Sequence, residues 1–129
     1  MSGTGGRGLL GVALTVQLVL LYWPRAVSPA AGLPWDKLVH ALIFGVVYAA
    51  GVRAGIPWRL WFVVSLVHAG VSEVLQDTLL PRRSGDPYDA AADAVGVLVA
   101  ALAMTVAAAR RRTAPVRSPD SADRAWHAE

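Results

Sequence analysis

Four apolar runs, Gly8 to Trp23, Trp35 to Gly55, Leu60 to Leu80 and Ala90 to Ala109, take up most of this chain and decide what it can fold into. Each approaches the roughly 20 residues that a helix needs to cross a bilayer core at about 1.5 Å rise per residue. Backbone amides cannot stay unpaired in lipid, so such runs imply helices that satisfy their own hydrogen bonds. The expectation is an all-α integral membrane four-helix bundle with short loops. Composition agrees, with 55% of residues hydrophobic and 16% charged, more apolar than a soluble domain of this size. At 129 residues there is room for one domain, 1–109, followed by a basic tail, 110–129, rich in Pro, Ser and Ala and expected to be disordered.

The first run is short. Its span from Gly8 covers roughly 24 Å at helical rise, so Arg7 is expected to snorkel or the bilayer to thin. Pro24, Pro29 and Pro34 keep the next connection non-helical, Gly55, Pro57 and Trp58 make a tight turn, and Pro81 to Asp89 is a loop dense in turn residues and charge. Ser28-Pro29-Ala30 offers the small residues of a signal-peptide cleavage site. Proline inside it fits poorly, and the first span is expected to remain.

Lysine and arginine set the expected orientation. Arg7, Arg53, Arg59, Arg110, Arg111, Arg112, Arg117 and Arg124 fall on one side of an even-numbered bundle, and Arg25, Lys37, Arg82 and Arg83 on the other. The positive-inside rule then puts both termini in the cytoplasm and the two charged loops outside. Tyr22, Trp23 and Trp35 at one boundary, with Trp58 and Trp61 at the other, suit interfacial aromatic belts. A pI near 10 could suggest nucleic acid, but these arginines flank apolar runs and form no stripe on a soluble helix. No nucleic-acid partner is expected; the expected partner is the lipid bilayer of the cell membrane, crossed several times.

Ionisable residues within spans carry the functional signal, because each is costly in lipid unless paired or wetted. The second run opens with Asp36, Lys37 and His40, the third carries His68, Ser72, Glu73, Gln76 and Asp77, and the fourth opens with Asp89 and Asp93. Asp36 and His40 are one turn apart, as are Asp89 and Asp93, and Glu73, Gln76 and Asp77 share a broad face. Counted from the span ends, all lie within about 6 to 12 Å of the outer boundary, Glu73 deepest. They predict an outward pocket of Asp36, Lys37, His40, Glu73, Gln76, Asp89 and Asp93, roofed by Arg82 and Arg83. Asp89, Asp93, Gly96 and Ala100 make a stripe suited to a close helix contact. The alternative is a set of ion pairs that only fixes helix register. His68, near mid-bilayer and turned away from Glu73, reads as a packing histidine.

Several chemistries are excluded or disfavoured. No cysteine is present, so disulfides, thiolate metal sites and cysteine nucleophiles are ruled out. His40, Glu73 and Asp93 are suitable metal donors but lack a diagnostic spacing such as His-Glu-x-x-His, and no metal or other cofactor is expected. Neither Ser72 nor Ser84 lies in a nucleophile elbow, the glycines of residues 3–11 form no phosphate loop, and no catalytic residue is assigned.

Asp36-Lys37-x-x-His40, then Glu73-x-x-Gln76, then Arg83 with Asp89-x-x-x-Asp93-x-x-Gly96, resembles the VanZ-like family of small bacterial membrane proteins. The resemblance runs from Trp35 to about Ala101. Asp93 departs from the family pattern, which commonly carries Asn there, and this changes the local charge. The resemblance implies a four-helix membrane protein of the cell envelope and a link to teicoplanin-type glycopeptide resistance. The leading expectation is a non-enzymatic protein whose pocket binds an anionic lipid headgroup or cell-wall precursor, with Lys37, Arg82 and Arg83 donating to phosphate. The alternatives are an enzyme on a lipid-linked substrate with Glu73 or His40 as general base, a small proton-linked transporter, or a structural partner of an envelope enzyme. Oligomeric state is left open.

Overall fold

A computed structural model describes residues 4–22, 34–80 and 86–113, and these form four helices, α1 (Thr4–Tyr22), α2 (Pro34–Arg53), α3 (Trp58–Leu79) and α4 (Pro87–Thr113). All four are long and apolar enough to cross a membrane. The connection holding Pro24 and Pro29, the candidate cleavage site, Arg82 and Arg83, and the tail after Thr113 lie outside the described residues. The first helix is longer than its apolar run. It starts at Thr4 and takes in Gly5, Gly6 and Arg7, so its 19 residues reach about 28 Å, with Arg7 inside the first turns. At the other end of the chain, α4 continues beyond Ala109 through Arg110, Arg111 and Arg112. Arginine is a good helix former and its charge complements the negative C-terminal end of the helix dipole.

Burial is inverted relative to a soluble protein. Leu9, Val12, Leu42, Val63, Val74, Leu98, Val99 and Leu102 are exposed, whereas Gln17, Ser72, Gln76 and Asp93 are almost wholly enclosed. Lipid tails solvate leucine and valine as well as a protein interior does, so the bundle encloses what lipid cannot solvate. An apolar core of Leu21, Phe44, Tyr48, Ala69 and Val97 lies beyond the polar residues.

The helices run up and down, with α2 at the centre. It packs most extensively along α4, with which it runs parallel, and also contacts α1 and α3; α1 and α4 do not meet. The turn from α2 to α3 ends the helix at Gly55, whose φ of 94° suits glycine. There Ile56 N–H donates to Gly51 O and Gly55 N–H to Val52 O, both at 3.1 Å, the hydrogen-bond pair of a Schellman cap. Trp61 then lies against Gly51 and donates its indole N–H to Val47 O at 3.3 Å. Trp61 therefore anchors α3 on α2, whereas Trp58 is exposed and its ring is stacked by Arg59.

The contact that places the polar residues is between α2 and α4. A Cβ on Gly96 would collide with the Ala41 carbonyl, and one on Gly45 would come within 3.0 Å of Gly96 O. The stripe of Asp89, Asp93 and Gly96 is buried, and it faces this contact. Gly96→Ala is expected to force α2 and α4 apart and to destabilise the protein by about 1–3 kcal/mol, the usual cost of overpacking. Gly70, with open space around its Cβ position, is the control: Gly70→Ala should stay within about 1 kcal/mol of the parent or gain slightly. Unfolding of both variants in matched detergent measures the difference.

Candidate functional site

Because Ala41 and Gly96 touch, their near neighbours His40 and Asp93 are brought face to face. His40 Nδ1 lies 3.0 Å from Asp93 Oδ1, and the two residues are 3% and 0% exposed. One turn nearer the helix ends, Lys37 Nζ donates to Asp86 Oδ2 and to Asp89 Oδ1, each at 2.9 Å. The same ammonium lies 5.6 Å from the centre of the Tyr88 ring. These contacts tie α2 to the beginning of α4.

Asp86 organises that beginning. It sits just before Pro87, and its Oδ1 accepts the Tyr88 N–H at 2.8 Å, so it caps the helix while proline occupies the first helical position. Its own backbone N–H donates to Glu73 Oε2 at 3.0 Å. Glu73 therefore pairs with a backbone amide at the positive end of α4, and the start of α4 comes down to the level of a residue whose place in the chain suggested greater depth. This contact joins α3 to the start of α4.

Of the expected pocket residues, Lys37, His40, Glu73, Gln76, Asp89 and Asp93 gather at one end of the bundle, the end where α2 and α4 begin. Asp36 joins them, within reach of His40 and Asp89. Arg82 and Arg83 lie outside the described residues. Asp77, expected on the same face as Glu73, is on the exposed side of α3. His68 packs against Phe44, ring centroids 5.3 Å apart. Comparisons with protein-family models, curated proteins and solved structures find no match to this chain.

The electrostatics differ from the expected anion pocket. Asp36, Glu73, Asp86, Asp89 and Asp93 gather at this end, and Lys37 is already held between Asp86 and Asp89. Among the described residues, the acceptors Glu73 Oε1 and Asp93 Oδ2 and the donor Gln76 Nε2 are buried without a hydrogen-bond partner. An unpartnered buried polar atom costs about 1–3 kcal/mol, so the described cluster is short of donors for its carboxylates. It favours cations and neutral hydrogen-bond donors. His40, Glu73 and Asp93 form one set of donor atoms within 4.8 Å of one another, and Asp36, His40 and Asp89 a second.

Two residues escaped the sequence reading. Asp86 lies in the segment expected to be a loop, although Asp86-Pro87 followed by Asp89 is a helix-start signal. Gln17 lies in the middle of the first apolar run and was passed over. It is fully buried, both amide atoms lack partners among the described residues, and with Ser65 and His68 it lines a cavity of about 160 Å³ between α1, α2 and α3. Its signal was being the lone amide in an apolar helix.

Lys37 holds the Asp86 carboxyl below the ordinary aspartate range, aided by the Tyr88 N–H. A lowered folded-state pKa contributes stability above the unfolded value, about 3.9, and that contribution is lost as pH falls through the folded value. Asp86→Asn keeps a capping side chain but removes the charge. Its thermal unfolding temperature should therefore lie below the parent's near neutral pH, and the gap should narrow on acidification below the ordinary aspartate range.

Proposed function

We propose that the protein is a VanZ-like, multi-pass protein of the bacterial cell membrane whose polar end faces outward and binds a lipid headgroup or cell-wall precursor. The observation that carries this reading is the gathering of His40, Glu73, Gln76 and Asp93 from three helices into one buried cluster with polar atoms left unpartnered. A cluster that only fixed helix register would pair those atoms. Hydroxyl or amine groups of a sugar, amino-acid or amine headgroup supply the donors that Glu73 and Asp93 lack. Phosphate on such a ligand falls to Arg82 and Arg83, which the sequence puts between Leu80 and Asp86, because Lys37 is committed to Asp86 and Asp89. Occupying a cell-wall precursor in this way lowers the access of teicoplanin-type glycopeptides to it.

The orientation rests on charge. Arg53 and Arg110 to Arg112 end α2 and α4 at the side opposite the pocket, and basic residues favour the cytoplasmic face. Both termini then lie inside. The chain has no cysteine, so Ser84→Cys introduces one thiol between α3 and α4. An impermeant thiol reagent should label it in intact cells; labelling only after lysis would reverse the topology.

The phenotype is tested by expression in a susceptible Gram-positive host. The parent is expected to raise tolerance to teicoplanin-type antibiotics several-fold and to leave unrelated antibiotics unaffected. Glu73→Gln can still accept the Asp86 N–H, so insertion and abundance should survive while most of the tolerance is lost. Full tolerance in Glu73→Gln at matched membrane abundance would sink the functional role of this carboxylate.

The His40–Asp93 pair favours one second reading. A carboxylate that orients an imidazole is the arrangement of a general base, which suits an enzyme acting on a lipid-linked substrate. Turnover by the purified protein, abolished in His40→Gln, would support that reading over simple binding. Proton-dependent flux in liposomes would instead support a small transporter.

A further inference from the structure

Three buried side chains from three helices converge at the polar end with more acceptor capacity than the protein fills. His40 of α2, Glu73 of α3 and Asp93 of α4 are 3%, 7% and 0% exposed, and each offers a donor atom within 4.8 Å of the other two. Among the described residues, Glu73 Oε1 and Asp93 Oδ2 have no partner. We infer that His40, Glu73 and Asp93 form a binding site for one divalent transition-metal ion of the zinc class.

Charge and ligand chemistry both support a metal over a second cation such as an amine. Two carboxylates in a low-dielectric bundle need compensation, and a divalent ion with a neutral imidazole makes the set electroneutral. One imidazole nitrogen with two carboxylate oxygens suits Zn²⁺ or Mn²⁺ better than Ca²⁺ or Mg²⁺, which prefer all-oxygen shells, and the chain has no thiolate to select Cu(I). Zinc bonds of about 2.0–2.2 Å put tetrahedral ligands roughly 3.3–3.6 Å apart. The 4.8 Å limit on the present separations therefore requires at most a small inward movement, within the reach of side-chain torsions.

The alternative set of Asp36, His40 and Asp89 is weaker, because Asp36 is only partly buried and Asp89 Oδ1 already accepts from Lys37. Three protein ligands leave a fourth position for water or an exogenous group. The unpartnered Gln76 Nε2, on the same face of α3 as Glu73, is a donor suited to an oxygen held there. The ion would use the same Glu73 and Asp93 oxygens that the headgroup reading fills, so a headgroup would meet them at the ion's fourth position. The metal alone is the probe, so failure of the headgroup reading leaves this test intact.

The test uses the full, tag-free chain in detergent, stripped with chelator and dialysed against Zn²⁺. About one equivalent should remain by elemental analysis. Chelator competition should show affinity reduced at least about 100-fold in Asp93→Asn and in His40→Gln, while Asp36→Asn, His68→Gln and His127→Gln stay within about twofold. X-ray absorption of the zinc-loaded parent, which needs no variant to fold, should show one imidazole and otherwise oxygen ligands. Less than a tenth of an equivalent bound, a shell with no imidazole or with two, or unchanged affinity in a helical Asp93→Asn protein would each overturn the site.

Discussion

The close approach of α2 to α4 is the contact on which the rest of the arrangement depends. Gly96 lies so near Ala41 and Gly45 that no side chain fits between the two backbones. Membrane helices gain little from hydrophobic association, because lipid is as apolar as leucine, so backbone proximity and the dispersion contacts it permits must do the holding. The consequence is chemical as well as mechanical. His40 precedes Ala41 and Asp93 lies one turn before Gly96, so the contact that joins the helices also joins the imidazole to the carboxylate.

Helix direction explains why acids collect at that end. Both α2 and α4 begin there, with Asp36 and Asp89 in their first turns, and two helix N-termini supply partial positive charge and free amide donors. One of those donors, the Asp86 N–H, holds Glu73. Lys37 offsets Asp86 and Asp89 across the α2–α4 seam. Deeper in, among the described residues, His40 meets one oxygen of Asp93 and the Asp86 N–H one oxygen of Glu73, which leaves Glu73 Oε1 and Asp93 Oδ2 unpartnered. The polar end is thus a set of ion pairs about Lys37 nearest the helix starts, with carboxylate oxygens of Glu73 and Asp93 short of donors deeper in.

The same physics accounts for Gln17. α1 buries a stripe of Ala13, Gln17 and Leu21 against its neighbours, and the amide has been turned inward because lipid offers it nothing. It shares its cavity with Ser65 and His68. The polar interior therefore extends from the His40–Asp93 pair at one end towards the middle of the bundle on the α1 side.

The apolar runs alone determined that the chain would be four helices of membrane-crossing length, since a lipid-soluble backbone must close its own hydrogen bonds whatever its neighbours do. Helix spacing also made the buried stripe of Asp89, Asp93 and Gly96 legible, along with the gathering of Lys37, His40, Glu73 and Gln76 at one end. Periodicity could not say which groups pair. Depth counted along separate helices ranks residues but does not set rotation or approach, and those follow from the Gly96–Ala41 contact. So the pairing of His40 with Asp93, the capture of Glu73 by the Asp86 amide and the commitment of Lys37 to two aspartates were decided only when three helices packed. The donor set of His40, Glu73 and Asp93 could be named from residue type but not fixed: its members lie 33 and 20 residues apart in sequence, and only tertiary packing brings their donor atoms within 4.8 Å of one another.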